Sequence, residues 1–185
     1  MGPLCARLGG ALFNPANNAM MYATGKGDLK EHAVRGVGQC LGAISGVLLA
    51  QALLPYPWQK GFSNMAVGLR PDVDVFEGAA CEFVLGLLLA FTISYSGELK
   101  SRFWKLWLPL IATVLAVRAG APYSGPSLNP AVTFGFEFLY QQQTRGEHFA
   151  VFWAAPVAAG LMGGWCYLGM REFTNLKQQR HSKQE

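Results

Sequence analysis

Asn14-Pro15-Ala16 and Asn129-Pro130-Ala131 decide the fold of this chain. An Asn followed by Pro is a helix-start signal. The Asn side chain accepts from an orphan amide of the first turn, and Pro suits a position where no amide donor is needed. Each box opens a short apolar piece, Phe13 to about Ala23 and Asn129 to about Tyr140. A helix needs about 20 mostly apolar residues to cross the hydrocarbon core of a bilayer. Both pieces fall short, and both read as half-helices.

The rest of the chain provides the membrane. Hydrophobic residues make up 51% and charged ones 14%, a membrane-protein profile. Four segments approach spanning length, roughly 33–54, 79–96, 103–119 and 149–170. Turn-rich connectors separate them: Pro55 to Gly78, Ser96 to Arg102, and Gly120 to Leu128. Residues 1–13 carry glycine and proline in too short a run for a cleavable signal, so insertion is expected to rely on the spans. Cys5, Cys40, Cys81 and Cys166 form no CxxC pair and read as small buried hydrophobes. His32, His148 and His181 form no ligand-spaced cluster, so no metal site and no cofactor is expected.

Lysine and arginine set the expected orientation. If the half-helix at Asn14 enters from the cytosol, eleven basic residues face that side: Arg7, Lys26, Lys30, Arg35, Lys100, Arg102, Lys105, Arg171, Lys177, Arg180 and Lys183. Only Lys60, Arg70, Arg118 and Arg145 face the other. The excess places the C-terminus in the cytosol. The two half-helices then enter from opposite faces. A shift of 115 residues lays Gly10 and Asn14 to Ala16 on Gly125 and Asn129 to Ala131, and lays span 33–54 on span 149–170. The pattern is an inverted internal repeat. The expected organisation is a single membrane domain over 1–170, with an incomplete first repeat (1–54) and a second repeat (79–170), then a basic cytosolic tail over 171–185. The second repeat offers two spans before its half-helix, and the first offers none.

Non-helical backbone at membrane depth survives only inside protein or along a watery cavity. Two half-helices from opposite faces meet this condition when their N-termini approach each other near mid-membrane. Carbonyls preceding each box then line a narrow path, and the Asn14 and Asn129 amides donate into it. Each helix N-terminus carries roughly half a positive charge, so the facing pair resists cations and protons while neutral solutes meet no such penalty.

These features resemble the aquaporin, or major intrinsic protein, superfamily, and within it the small basic intrinsic proteins of plants and algae. The resemblance is carried by Gly9-Gly10-Ala11-Leu12-Phe13-Asn14-Pro15-Ala16 with Tyr22, by Pro71-Asp72-Val73-Asp74-Val75 through Glu82, and by Ala119-Gly120 through Tyr123-Ser124-Gly125-Pro126-Ser127-Leu128-Asn129-Pro130-Ala131 to Gly135. It implies an all-α membrane fold of six spans and two re-entrant half-helices, of which this chain has four spans. It also implies tetrameric packing, or assembly with related subunits, and an endoplasmic reticulum membrane. The chain departs from the pattern in lacking the first two spans, in a less lysine-dense tail, and in a first box that keeps Ala at its third position.

The resemblance further implies a second constriction formed by Val132, directly after the second box, with Pro126 and Val117. Water-selective members hold an Arg where this chain has Val132. An aliphatic filter lacks the rigid guanidinium fork, so the expected permeants are water and small neutral solutes rather than water alone. Glu82 lies in an apolar span, where a charge at the bilayer centre costs about 2.5–3.5 kcal/mol. It needs a partner, and the resemblance implies that it braces the pore loop of its repeat. Glu137 raises the same question inside the second half-helix. Arg118 reads as an interface charge. Gly38-x-x-x-Gly42-x-x-x-Gly46 and Gly160-x-x-x-Gly164 read as close helix contacts, and Trp58, Trp104, Trp107 and Trp153 as an interfacial belt.

A passive channel is therefore the leading expectation. The alternative is a non-conducting truncated homologue, or an incomplete gene product, acting by assembly with other subunits. A secondary transporter also uses broken helices but needs more spans and a driving-ion site. The spans hold no Ser-His or Cys-His pairing, which argues against an enzyme with catalytic residues. Nothing in the sequence calls for a nucleic-acid partner.

Overall fold

The computed structural model describes residues 12–65 and 68–181. Cys5, Arg7, the Gly9 to Ala11 stretch and Lys183 lie outside the described residues. Among the described residues regular structure is helical throughout. The order is α1 (Pro15–Ala23), α2 (Leu29–Leu53), α3 (Trp58–Ser63), α4 (Val75–Ser96), α5 (Arg102–Gly120), α6 (Pro130–Tyr140), α7 (Arg145–Phe149), a π-helical turn (Ala150–Ala154) and α8 (Ala155–His181). Among the described residues four helical stretches are long and apolar enough to cross a membrane: Leu29–Leu53, Val75–Ser96, Arg102–Gly120 and Arg145–Lys177. The chain has the aquaporin-like arrangement of four spans and two half-helices, with the spans beginning up to four residues earlier than apolarity alone indicates.

The earlier starts have local causes. Asp28 accepts from the Glu31 amide at 2.7 Å, which carries α2 back through a polar first turn. Asp74 and Glu77 form a reciprocal capping box at the start of α4 (2.8 and 3.2 Å), and Thr144 with Glu147 does the same for α7. The connector after Pro55 is not turn throughout: α3 forms within it.

Lipid-facing surface is apolar, as a bilayer solvent requires. On α5, Leu106, Leu110 and Val114 are exposed at four-residue spacing. The two repeats interlock. The half-helix α1 packs on α8, the closing span of the second repeat, and α6 packs on α2, the closing span of the first. Gly160 and Gly164 explain the first contact. A Cβ on Gly160 would lie 2.2 Å from the Ala16 carbonyl oxygen, and one on Gly164 would lie 2.9 Å from the Ala23 Cβ. The second contact runs through Gly135, where a Cβ would meet the Ala43 backbone at 2.8 Å.

The glycines of α2 behave differently from expectation. Among the described residues, Cβ atoms at Gly38, Gly42 and Gly46 would meet nothing within 4 Å. The close approach on α2 is at Ala43, and this glycine stripe faces open space. Trp153 has partners within the protein. Its indole donates to His148 Nε2 at 3.1 Å and its ring packs edge-on against Phe134. Trp58, Trp104 and Trp107 are exposed, as is Arg118.

Contacts between connectors sort the ends of the helices into two faces. On one, Glu98 accepts from the Tyr167 hydroxyl and feels the charges of Arg171, Lys26 and Lys105. On the other, Leu69 N donates to Glu147 at 3.0 Å, Arg70 N donates to Tyr123 O at 2.9 Å, and the Tyr140 hydroxyl donates to Gln51 at 2.7 Å. α1 therefore exits toward the first face and α6 toward the second.

Candidate functional site: the meeting point of two half-helices

The tips of α1 and α6 meet through their asparagines. Asn14 Oδ1 accepts from Ala16 N at 2.8 Å and Asn129 Oδ1 accepts from Ala131 N at 3.2 Å, so each side chain caps its own helix. The amide ends reach across. Asn14 Nδ2 donates to Leu128 O at 2.8 Å, and Asn129 Nδ2 donates to Phe13 O at 3.0 Å. Each box thus binds the carbonyl that precedes the other box. A primary amide has two donor hydrogens, and the cross-bond takes one. The second has no acceptor among the described residues and lies beside the positive end of a helix at each tip. Pro15, Ala16, Pro130 and Ala131 are buried around this junction.

The loop leading into the second tip is held by Glu82. This residue is fully buried on α4, and its carboxyl group accepts from Ser124 Oγ (3.2 Å), Ser127 N (3.1 Å) and Leu128 N (3.1 Å). Leu128 needs such support because its φ is +51°, in the left-handed region that side chains avoid. Its amide is fixed by Glu82 and its carbonyl by Asn14, so the unusual conformation is set from both sides. The loop before the first tip is braced by neutral groups. Gln39 Nε2 donates to Leu12 O at 2.7 Å, and Asn18 Nδ2 donates to Gln39 Oε1 at 2.9 Å. Asn18 is buried.

The three expected filter residues sit in different settings. Val132 is 41% exposed and borders a cavity of about 520 Å³ together with Phe13, Gly38, Gly42, Ala131 and Arg35. Val117 is exposed on α5 and is not among the residues lining that cavity. Pro126 is buried against Gly120, where a Cβ would lie 2.5 Å from the proline Cγ. Glu137 turns away from the junction and accepts from the Gln142 and Gln143 amides (3.0 and 3.2 Å), which caps the end of α6.

Three residues at the site carry interactions that sequence reasoning left unassigned. Gln39 stands as an amide amid glycines and apolar residues of α2, a signal of a polar partner. Arg35 lines the cavity beside Val132 and pairs with Glu31 at 2.5 Å, one helical turn away. Arg70 reaches over the second pore loop, and only its place beside Pro71-Asp72 marks it in the sequence. A larger apolar cleft, about 690 Å³, opens beside α1 and α2 and is lined by residues that include Tyr22, Val37, Leu41, Phe134, Trp153 and Leu161.

Four spans with two half-helices entering from opposite faces and joined tip to tip define an integral membrane protein built on an inverted repeat. The chain belongs to the major intrinsic protein family, whose model matches residues 3–167. It is 31% identical over 172 residues to Aquaporin SIP1-1 of Oryza sativa subsp. japonica, covering 89% of this chain and 68% of that protein. It is 33% identical over 172 residues to Aquaporin SIP1-2 of Zea mays, covering 90% of this chain and 69% of the relative. These similar proteins are small basic intrinsic proteins, and the chain spans about two thirds of their length. The fold is also that of the aquaglyceroporin from Plasmodium falciparum, with a TM-score of 0.72 at 24% identity, covering 88% of this chain and 73% of that one.

Proposed function

We propose that this protein is a passive membrane channel for water and small neutral solutes, with its constriction at Asn14 and Asn129. The observation that supports it is the reciprocal bonding of the two asparagines, which leaves one amide hydrogen at each tip uncommitted among the described residues. On this reading Val132, beside the 520 Å³ cavity, is the aliphatic residue that admits solutes larger than water, while Val117 on α5 and Pro126 against Gly120 belong to the elements that frame it. The proposal places the C-terminus in the cytosol and the protein in the endoplasmic reticulum membrane, as a homo-tetramer or with related subunits.

Osmotic light scattering on vesicles holding the chain tests the reading, with water, glycerol and urea as solutes. Flux above empty vesicles, linear in the gradient and without saturation, is expected. No rise for any solute refutes conduction by this chain alone.

One observation favours a second reading. The 690 Å³ cleft beside α1 and α2 is lined largely by apolar side chains, among them Val37, Leu41, Phe134 and Leu161. On this reading conduction requires further membrane-spanning segments seated in that cleft, and the chain alone is silent. Flux that appears only on co-reconstitution with a related full-length subunit selects it.

A further inference from the structure

Arg70 lies in the connector before α4, yet its backbone and side chain are tied to the loop that leads into the second half-helix. Its amide donates to Tyr123 O at 2.9 Å and its Nε donates to Ala121 O at 3.0 Å. The preceding residue, Leu69, is fixed by its amide to Glu147 at 3.0 Å. These bonds hold the guanidinium at one place. Its Nη2 lies 2.9 Å from where a Cβ on Gly125 would stand, so it rests directly on the glycine that precedes Pro126. Gly125 has a φ of +55°, and the missing side chain gives the guanidinium its seat.

Two of the elements assigned to the second constriction converge on this group. Ala121 caps α5 one turn beyond Val117, and Gly125 adjoins Pro126. The Nη nitrogens have no acceptor among the described residues, and no carboxylate lies within ion-pair distance of them. Of the acids that follow it in the chain, Asp72 forms no ion pair with Arg70, and Asp74 and Glu77 accept from each other's backbone amides in the capping box of α4. Arg70 is exposed. An arginine is charged at every relevant pH, so Arg70 places a full positive charge beside Gly125, with no ion pair among the described residues, while Val132 carries none.

We propose that Arg70 supplies the positive charge of the pore mouth on the α3 side and acts there as a specificity-determining residue that excludes cations and protons. The inference rests on the channel reading above. It differs from the helix-end effect at the asparagines because the charge is full, lies nearer the mouth and is removable by substitution.

Vesicles of phosphatidylcholine and phosphatidylglycerol with an internal pH-sensitive dye separate the two readings. Water and glycerol flux is read by light scattering, and proton and potassium leak by the dye with and without valinomycin. Arg70→Gln should raise proton leak per protein roughly tenfold, with neutral flux within about twofold of the parent. Arg70→Lys should keep the exclusion. A parent chain without neutral flux removes the channel reading and this inference with it. A conducting parent with no added leak in Arg70→Gln overturns the role of Arg70 alone, as does equal leak from Arg70→Lys. Arg70→Met keeps much of the aliphatic stem, and should leak like Arg70→Gln. If both neutral variants fail to insert while Arg70→Lys inserts, the charge serves folding and the proposal falls.

Discussion

Glu82 satisfies three donors with one carboxyl group in the interior of a span, and two of those donors are backbone amides that nothing else reaches. The cost of deleting it is therefore the cost of stranding them, about 1–3 kcal/mol for each orphaned buried donor. Glu82→Leu should destabilise the protein by several kcal/mol on this basis, about 2–6 counting the two amides alone, and should abolish flux. Glu82→Gln keeps one acceptor oxygen and should lose less. Thermal unfolding in detergent, read alongside vesicle flux, checks the order. A Leu variant that melts with the parent would mean that Ser127 and Leu128 find other acceptors.

Among the helices, the closest approach is that of α1 to α8. The Ala16 carbonyl lies where a Gly160 side chain would begin, and Ala16 belongs to the first box. Gly160→Val has no rotamer that avoids this backbone atom, and overpacking of this kind costs typically 1–3 kcal/mol. The variant should insert yet conduct poorly, because α1 must retreat and carry Asn14 away from Leu128. Unchanged water flux would show that the tips tolerate the shift. The connector after α4 makes a second, milder link between elements. The Tyr167 hydroxyl, with help from Arg171, Lys26 and Lys105, holds the Glu98 carboxyl below its usual titration range. A group lowered on folding stabilises above its ordinary pKa and loses that contribution as pH falls through the lowered one. Melting temperature should thus fall on acidification through the glutamate range, and Tyr167→Phe should flatten that slope.

The helices were legible in the sequence where the cause is local. Asn-Pro states a capped start by itself, and the apolar lengths state which pieces span. The start of α2 was misplaced because a polar first turn, Leu29 to His32, is helical only through the Asp28 cap. The short α3 was hidden by the prolines and glycines around it. At the site, the pairing of Asn14 with Leu128 and of Asn129 with Phe13 joins residues 114 and 116 positions apart. No pattern along the chain encodes that exchange. The same holds for Arg70 and Ala121, 51 positions apart. The glycine stripe of α2 was legible as small residues but not as unpartnered, since spacing does not say what stands opposite.

For the molecule as a whole, the two faces are the testable feature. Ser101, beside Glu98, and Ser63, at the end of α3, should lie on opposite sides of the membrane. Single cysteines placed there, in a background with Cys5, Cys40, Cys81 and Cys166 replaced, should react with an impermeant maleimide from opposite sides of sealed vesicles. Labelling of both from one side would overturn the inverted topology.

The exchange of hydrogen bonds between the boxes also has a consequence in time. A ribosome makes Asn14 first and Asn129 115 residues later, which at roughly 5–20 residues per second is a wait on the order of ten seconds. Throughout it the Asn14 amide lacks Leu128 O and the Phe13 carbonyl lacks its donor. The first half-helix cannot settle at membrane depth on its own terms. The junction of the two tips therefore forms only once residue 129 has been made, and the pace of synthesis sets when the first half-helix gains its partners.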